Sequence, residues 1–296
     1  MTTTELELIR AALLKRREDP PASLDAARKG YDEFCEAFRA PDNCVFETVV
    51  LNGVSARVSI CPQAKRSLIY AHGGGFLVGS AKGFQGIAGT LGDAIEANTY
   101  VFDYRLAPEH PYPAATDDFV AAYTAILEAG ASASELVLAG DSAGAGLIVA
   151  SLLHAKRQNL PMPACVILFS PWVDLALTGL SIEAKAAVDC FLTPEKLRAG
   201  ALAFLGPDLE GASFILDSDL SGFPPLLIQV GTDEILLDDA FRLARNAALA
   251  GNEVKLDVWS GMFHVWHAFA PTLLSARQAL TAAANFADSV LSREKQ

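Results

Sequence analysis

The chain has 296 residues, is 51% hydrophobic and carries 35 acidic against 23 basic side chains, a formal net charge of −12. That much apolar sequence buries a large core as one domain, with or without an appendage, and excludes disorder. The acidic balance excludes nucleic acid and anionic membrane surfaces as partners, because both attract basic patches.

The first twenty residues mix acids with apolar residues and show no signal or transit pattern, and no later stretch is long and apolar enough to suggest membrane anchoring. Met1 to about Pro41 reads as amphipathic and helical, broken at Pro20-Pro21. The runs "CVFETVVL" and "ARVSICP" flank Asn52-Gly53, a strong turn signal, and predict an antiparallel hairpin. "RSLIYA", "NTYVFDY", "ELVLAG", "ACVILFS", "PPLLIQVG" and "NEVKLDVW" follow as strands, mostly of the continuous apolar kind that is covered on both faces. Helical periods separate them, in "FQGIAGTLGDAIEA", "ATDDFVAAYTAILEAG", "AGAGLIVASLLHAKRQN" and "LDDAFRLARNAALAG". The alternation predicts an α/β protein with a mostly parallel sheet.

Two segments break the rhythm. One is the N-terminal stretch, 1–41. The other is a long excursion, 175–223, with a helix starting at Thr193-Pro194-Glu195 in N-cap, N1 order. Excursions of that length inside a compact domain tend to be functional. The two are expected to pack together as a cap over a core formed by 42–174 and 224–296. The five cysteines show no metal-ligand or redox spacing, which fits a reducing cytoplasm, and Cys165 reads as a buried strand residue.

The chemistry begins at Gly140-Asp141-Ser142-Ala143-Gly144, where a strand turns sharply into a helix. G-x-S-x-G in that context holds a serine hydroxyl exposed on a tight bend, with small residues on either side so that neighbouring backbones can approach. Ser142 needs a base and a carboxylate to orient it. Of the five histidines, His264 follows the last strand after a Gly261 turn and is the expected base, with His267 one helical turn on as the alternative. The expected acid is Asp233, just beyond the seventh strand. Glu234, Asp238 and Asp239 read instead as the solvated start of the next helix. "HGGGF", from His72 to Phe76, then finds a use: glycines without side chains expose N–H groups that can stabilise an oxyanion. Gly74 and Gly75 are the expected donors, Gly73 a close alternative, and Ala143 completes the hole. Losing one such donor costs about 3 kcal/mol of transition-state stabilisation.

"HGGGF", "YRLAPEHPYPAA", "GDSAG", "GTDEILLDD" and "GMFH" together resemble the hormone-sensitive lipase family of α/β-hydrolases, a group that includes many bacterial carboxylesterases. The resemblance runs from about Val45 to the C-terminus. It implies an eight-stranded α/β-hydrolase core, a helical cap from the N-terminus and the insertion after the sixth strand, and a triad at Ser142, Asp233 and His264. Asp141, with His72 and Gly73, supports the oxyanion segment on this reading, as does the loop from Tyr104 to His110. The chain departs from the family pattern at "SFILDSDLSGFPP", before the seventh strand. Phe76, Trp172 and Val265 are expected to line an acyl pocket.

The expected activity is hydrolysis of small esters with short to medium acyl chains through an acyl-enzyme, needing no metal or organic cofactor. Lactone, carbamate or amide cleavage with the same machinery is one alternative, and a non-catalytic small-molecule receptor is another. The expected partner is a small-molecule ester; the resemblance admits a homodimer by analogy alone.

Overall fold

The computed structural model describes residues 4–293 except 63, 208, 210 and 211. Two helices come first, α1 (Glu5–Glu18) and α2 (Leu24–Glu36). Thr4 starts α1 with a capping box: its side chain accepts from Glu7 N–H, and the Glu7 carboxylate accepts from Thr4 N–H. Ser23 caps α2 by a single bond, its side chain accepting from Ala26 N–H, past the Pro20-Pro21 break.

The sheet strands are β1 (Phe46–Leu51), β2 (Val54–Ser59), β3 (Arg66–Ala71), β4 (Ala97–Phe102), β5 (Leu136–Asp141), β6 (Cys165–Phe169), β7 (Leu226–Gly231) and β8 (Val254–Trp259). They form one sheet in the order β1-β2-β4-β3-β5-β6-β7-β8. The hairpin closes with Leu51 opposite Val54, and Asn52 and Gly53 both take positive φ, as a two-residue hairpin turn requires. β2 joins β4 antiparallel, and every pairing from β4 onward is parallel.

The helices α3 (Gln85–Ala94), α4 (Ala114–Glu128), α5 (Ser142–Arg157), α6 (Ser181–Ala184), α7 (Pro194–Leu205), α8 (Leu237–Leu249) and α9 (Leu274–Arg293) complete the chain. Alternate residues of β3 show the layering. Ile69 and Ala71 join the apolar cluster under α4, α5 and α8, while Leu68 and Tyr70 join the one under α3 and α9. With both faces covered, β5, β6 and β7 are buried along their whole length. The twenty-residue helix α9 has no counterpart among the expected elements. Its face of alanines with Leu280, Phe286, Val290 and Leu291 packs on the second cluster.

Between β6 and β7 the chain leaves the sheet, forms α6 and α7, and meets the N-terminal helices. Arg17 of α1 donates to Ala186 O at 3.4 Å and to Asp189 O. The expected cap on α7 is in place, with Thr193 accepting from Lys196 N–H at 3.2 Å and Pro194 leading the helix. Among the described residues no helix is long and apolar enough to cross a membrane.

Candidate active site

β5 runs into α5 with no intervening loop, so Ser142 sits on the bend with φ +52°. A β-carbon on Gly144 would lie 2.1 Å from Ala71 O, which is why this helix starts so close to β3 only with glycine there. Trp172 N–H donates to Ser142 O at 3.0 Å and ties the bend to the chain leaving β6.

His264 Nε2 lies 2.9 Å from Ser142 Oγ, and both side chains are buried. His264 Nδ1 lies 2.9 Å from Glu234 Oε2. An ionised carboxylate only accepts, so Nδ1 carries the proton and Nε2 presents its lone pair to the serine hydroxyl. The acid on the imidazole is therefore Glu234, a correction to the expected Asp233. Asp233 is one-quarter exposed and pairs with Arg10 at 2.8 Å instead. Gly231 N–H donates to Glu234 Oε1 at 2.6 Å and folds the longer side chain back over the end of β7, toward the base. Burial pushes the Glu234 carboxyl above its ordinary range, and the His264 hydrogen bond pulls it back.

Ser170 joins acid and base turns. Its hydroxyl donates to Glu234 Oε1 at 2.8 Å and accepts from Val265 N–H at 3.2 Å. His267, the alternative base, is fully buried elsewhere: its Nε2 meets Gln229 Oε1 at 3.0 Å and its ring stacks on Phe169. Desolvation holds it well below the usual histidine range.

Opposite the bend, Gly74 and Gly75 both take positive φ, +117° and +61°. Among the described residues the N–H groups of Gly74, Gly75 and Ala143 meet no acceptor. Gly73 N–H is committed, donating to Asp141 Oδ1 at 3.0 Å, where Tyr70 Oη also donates at 2.9 Å. Burial lifts the Asp141 carboxyl to about 6. His72 lies within hydrogen-bond distance of Gly73 O at 2.7 Å through Nδ1 and stacks on Tyr104, whose hydroxyl donates to His72 O at 2.8 Å. Desolvation lowers His72 to about 4, so it stays neutral at pH 7.

The chain as a whole is similar to known proteins. Residues 68–268 match the family model described as alpha/beta hydrolase fold. An acetyl-hydrolase of Streptomyces hygroscopicus is 38% identical, covering 97% of both chains. An esterase of Acinetobacter venetianus is 34% identical over 94% of this chain and 95% of its own. The crystal structure of an esterase from the bacterial hormone-sensitive lipase family superposes with a TM-score of 0.93 at 34% identity, covering 98% of this chain and all of that one. The crystal structure of EstE5, soaked with p-nitrophenyl butyrate, gives 0.91 at 38% identity with the same coverage. The chain belongs to the hormone-sensitive lipase family of α/β-hydrolases.

Within this hormone-sensitive lipase family member, Phe76 and Trp172 stand beside the glycine loop, 5.8 Å apart, and Phe76 stacks at 3.8 Å on Phe204 of α7. α7 presses close enough that a β-carbon on Gly200 would lie 2.9 Å from Gly75 O and 3.3 Å from the Trp172 ring. Val265 does not join this aromatic group. Its side chain packs with the cluster under α3 and α9, and its left-handed backbone (φ +51°) serves the Ser170 contact.

Sequence reasoning missed Glu234, Ser170 and Phe204. Glu234 and Asp233 are neighbours of one charge on one turn, and nothing in their order says which one folds back. Ser170 sits at the end of β6 and Phe204 falls in an apolar helix of ordinary pattern, so neither carried a signal. Among the described residues no group of three or more His, Cys, Asp or Glu side chains is arranged to hold a metal ion.

Proposed function

We propose that this carboxylic ester hydrolase cleaves small esters of short to medium acyl chain through an acyl-enzyme on Ser142, with His264 as base and Glu234 as its orienting acid. The observation that carries the reading is the unbroken line from Ser142 Oγ through both nitrogens of His264 to Glu234, 2.9 Å at each step. Ser142 attacks the ester carbonyl as His264 Nε2 takes its proton, and the buried Glu234 carboxylate stabilises the imidazolium that forms. The carbonyl oxygen becomes an oxyanion held by the N–H groups of Gly74, Gly75 and Ala143. His264 returns the proton to the departing alcohol, and water then repeats the sequence on the acyl-enzyme.

A short acyl preference is supported by the aromatic wall of Phe76, Trp172 and Phe204 pressed onto the glycine loop, and by the acetyl-hydrolase relative. Segments 1–41 and 175–223 act as the cap in this reading. The five free thiols support a reducing cytoplasm as its place of work.

The test is hydrolysis of p-nitrophenyl acetate and butyrate by the purified chain. Ser142→Ala is expected to abolish turnover, and a burst of p-nitrophenol ahead of the steady state marks the acyl-enzyme. Tight ligand binding without turnover in the unaltered chain overturns the enzyme reading. Faster turnover of lactones or amides than of esters overturns the substrate class.

A further inference from the structure

Helix α1 sets a single side chain against the segments that carry acid and base. The Arg10 guanidinium meets Asp233 Oδ2 at 2.8 Å, Gly261 O at 3.0 Å and Val188 O at 3.2 Å. Asp233 directly precedes Glu234, and Gly261 stands on the turn that leads to His264. Val188 adjoins Asp189, whose buried carboxylate accepts at 2.9 Å from the N–H of Ile235, the residue after Glu234.

The acid and base turns touch each other as well. Asp233 N–H donates to Met262 O at 3.1 Å, and Gly261 N–H donates to Thr232 Oγ1 at 2.8 Å. Arg10 closes this assembly from outside, and Arg17, two turns further along α1, fastens the same helix to Ala186 O and Asp189 O.

An ion pair about one-quarter exposed on each side contributes little stability by itself. Its value lies in geometry, because a planar guanidinium fixes several acceptors at once, which an ammonium on a flexible stem does not.

We propose that Arg10 is a positioning residue for ester hydrolysis: it holds the turns 232–234 and 261–264 at the separation where Glu234 reaches His264, and makes that separation depend on α1 docking against 186–189. The proposal rests on the reading of Glu234 as the acid.

The test uses the full chain with Arg10→Ala, Arg10→Lys, Asp233→Asn and Glu234→Gln. Two quantities are measured: kcat and KM for p-nitrophenyl butyrate, and the low-field proton resonance of an imidazole Nδ1–H bonded to a carboxylate. Glu234→Gln must remove both turnover and the resonance; if it removes neither, the acid assignment itself fails, whatever Arg10 does. With that assignment standing, Arg10→Ala is expected to lower kcat roughly tenfold, leave KM within about twofold and broaden the resonance. Arg10→Lys is expected to recover part of kcat, and Asp233→Asn, whose amide oxygen still accepts, to lose less than Arg10→Ala. Should Arg10→Ala fold poorly by circular dichroism, the lysine and asparagine variants carry the same comparison. A kcat within about twofold of the unaltered chain in all three variants overturns the proposal. So does a kcat loss with the resonance intact.

Discussion

The two turns that His264 links, one carrying Ser142 and one carrying Glu234, are built on different principles. The bend after β5 is a backbone construction: Ser142 takes φ +52°, and the glycine at 144 lets α5 start against Ala71 O because no β-carbon fits there. The turn after β7 is a side-chain construction in which Gly231 N–H, Ser170 Oγ and His264 converge on Glu234 while Arg10 draws Asp233 the other way. A bend made from main chain tolerates few residues, because its close approaches leave no room for side chains. A site made from side chains is only as exact as its neighbours.

That contrast breaks most sharply at Glu234→Gln. An amide cannot stabilise the imidazolium and competes for the wrong tautomer, so kcat is expected to fall about 10³- to 10⁴-fold in steady-state assays. If Glu234→Gln stays within about tenfold of the unaltered chain, the acid lies elsewhere and the turn after β7 has been misread.

On the main-chain side, Gly74→Ala sets a β-carbon 2.0 Å from Val78 O at a backbone φ of +117°. The loop must shift and carry its N–H groups with it, for an expected loss of about 10²- to 10³-fold in kcat with the fold intact by circular dichroism. Near-normal activity would show that these amides do not hold the oxyanion.

The mildest effect belongs to a third acid of the same stretch, Asp239, which accepts from the N–H groups of Val173 and Asp174 at 2.9 Å each and takes no part in either turn. Burial raises its carboxyl to about 7. A group raised in the folded chain contributes stability that is fully present below its unfolded value, near 4, and lost as pH rises through about 7. Melting curves of Asp239→Asn are therefore expected to show a shallower fall between those pH values than the unaltered chain. An unchanged slope would mean that the carboxyl titrates normally.

The same division explains what was legible in the sequence. All eight strands, the hairpin at Asn52-Gly53, the bend at Ser142 and the helix start at Thr193 follow from apolar runs, glycines and cap residues, each a local rule written where it acts. His264 was legible because its place after the last strand leaves little freedom. Glu234 was not. Choosing between two adjacent carboxylates depends on Arg10, about two hundred residues earlier, and on Ser170 at another strand end, and no local pattern records either contact. Helix α9 escaped for a different reason: its alanine-rich face carries little hydrophobic contrast until the sheet it covers is known.

Arg10 and Arg17 of α1 fasten the insertion through main-chain oxygens, at Val188, Ala186 and Asp189. Carbonyls come with every amino acid, so this clasp is encoded on one side alone. The side chains at 186 and 188 are free to diversify, while the attachment survives on the constancy of two guanidinium groups.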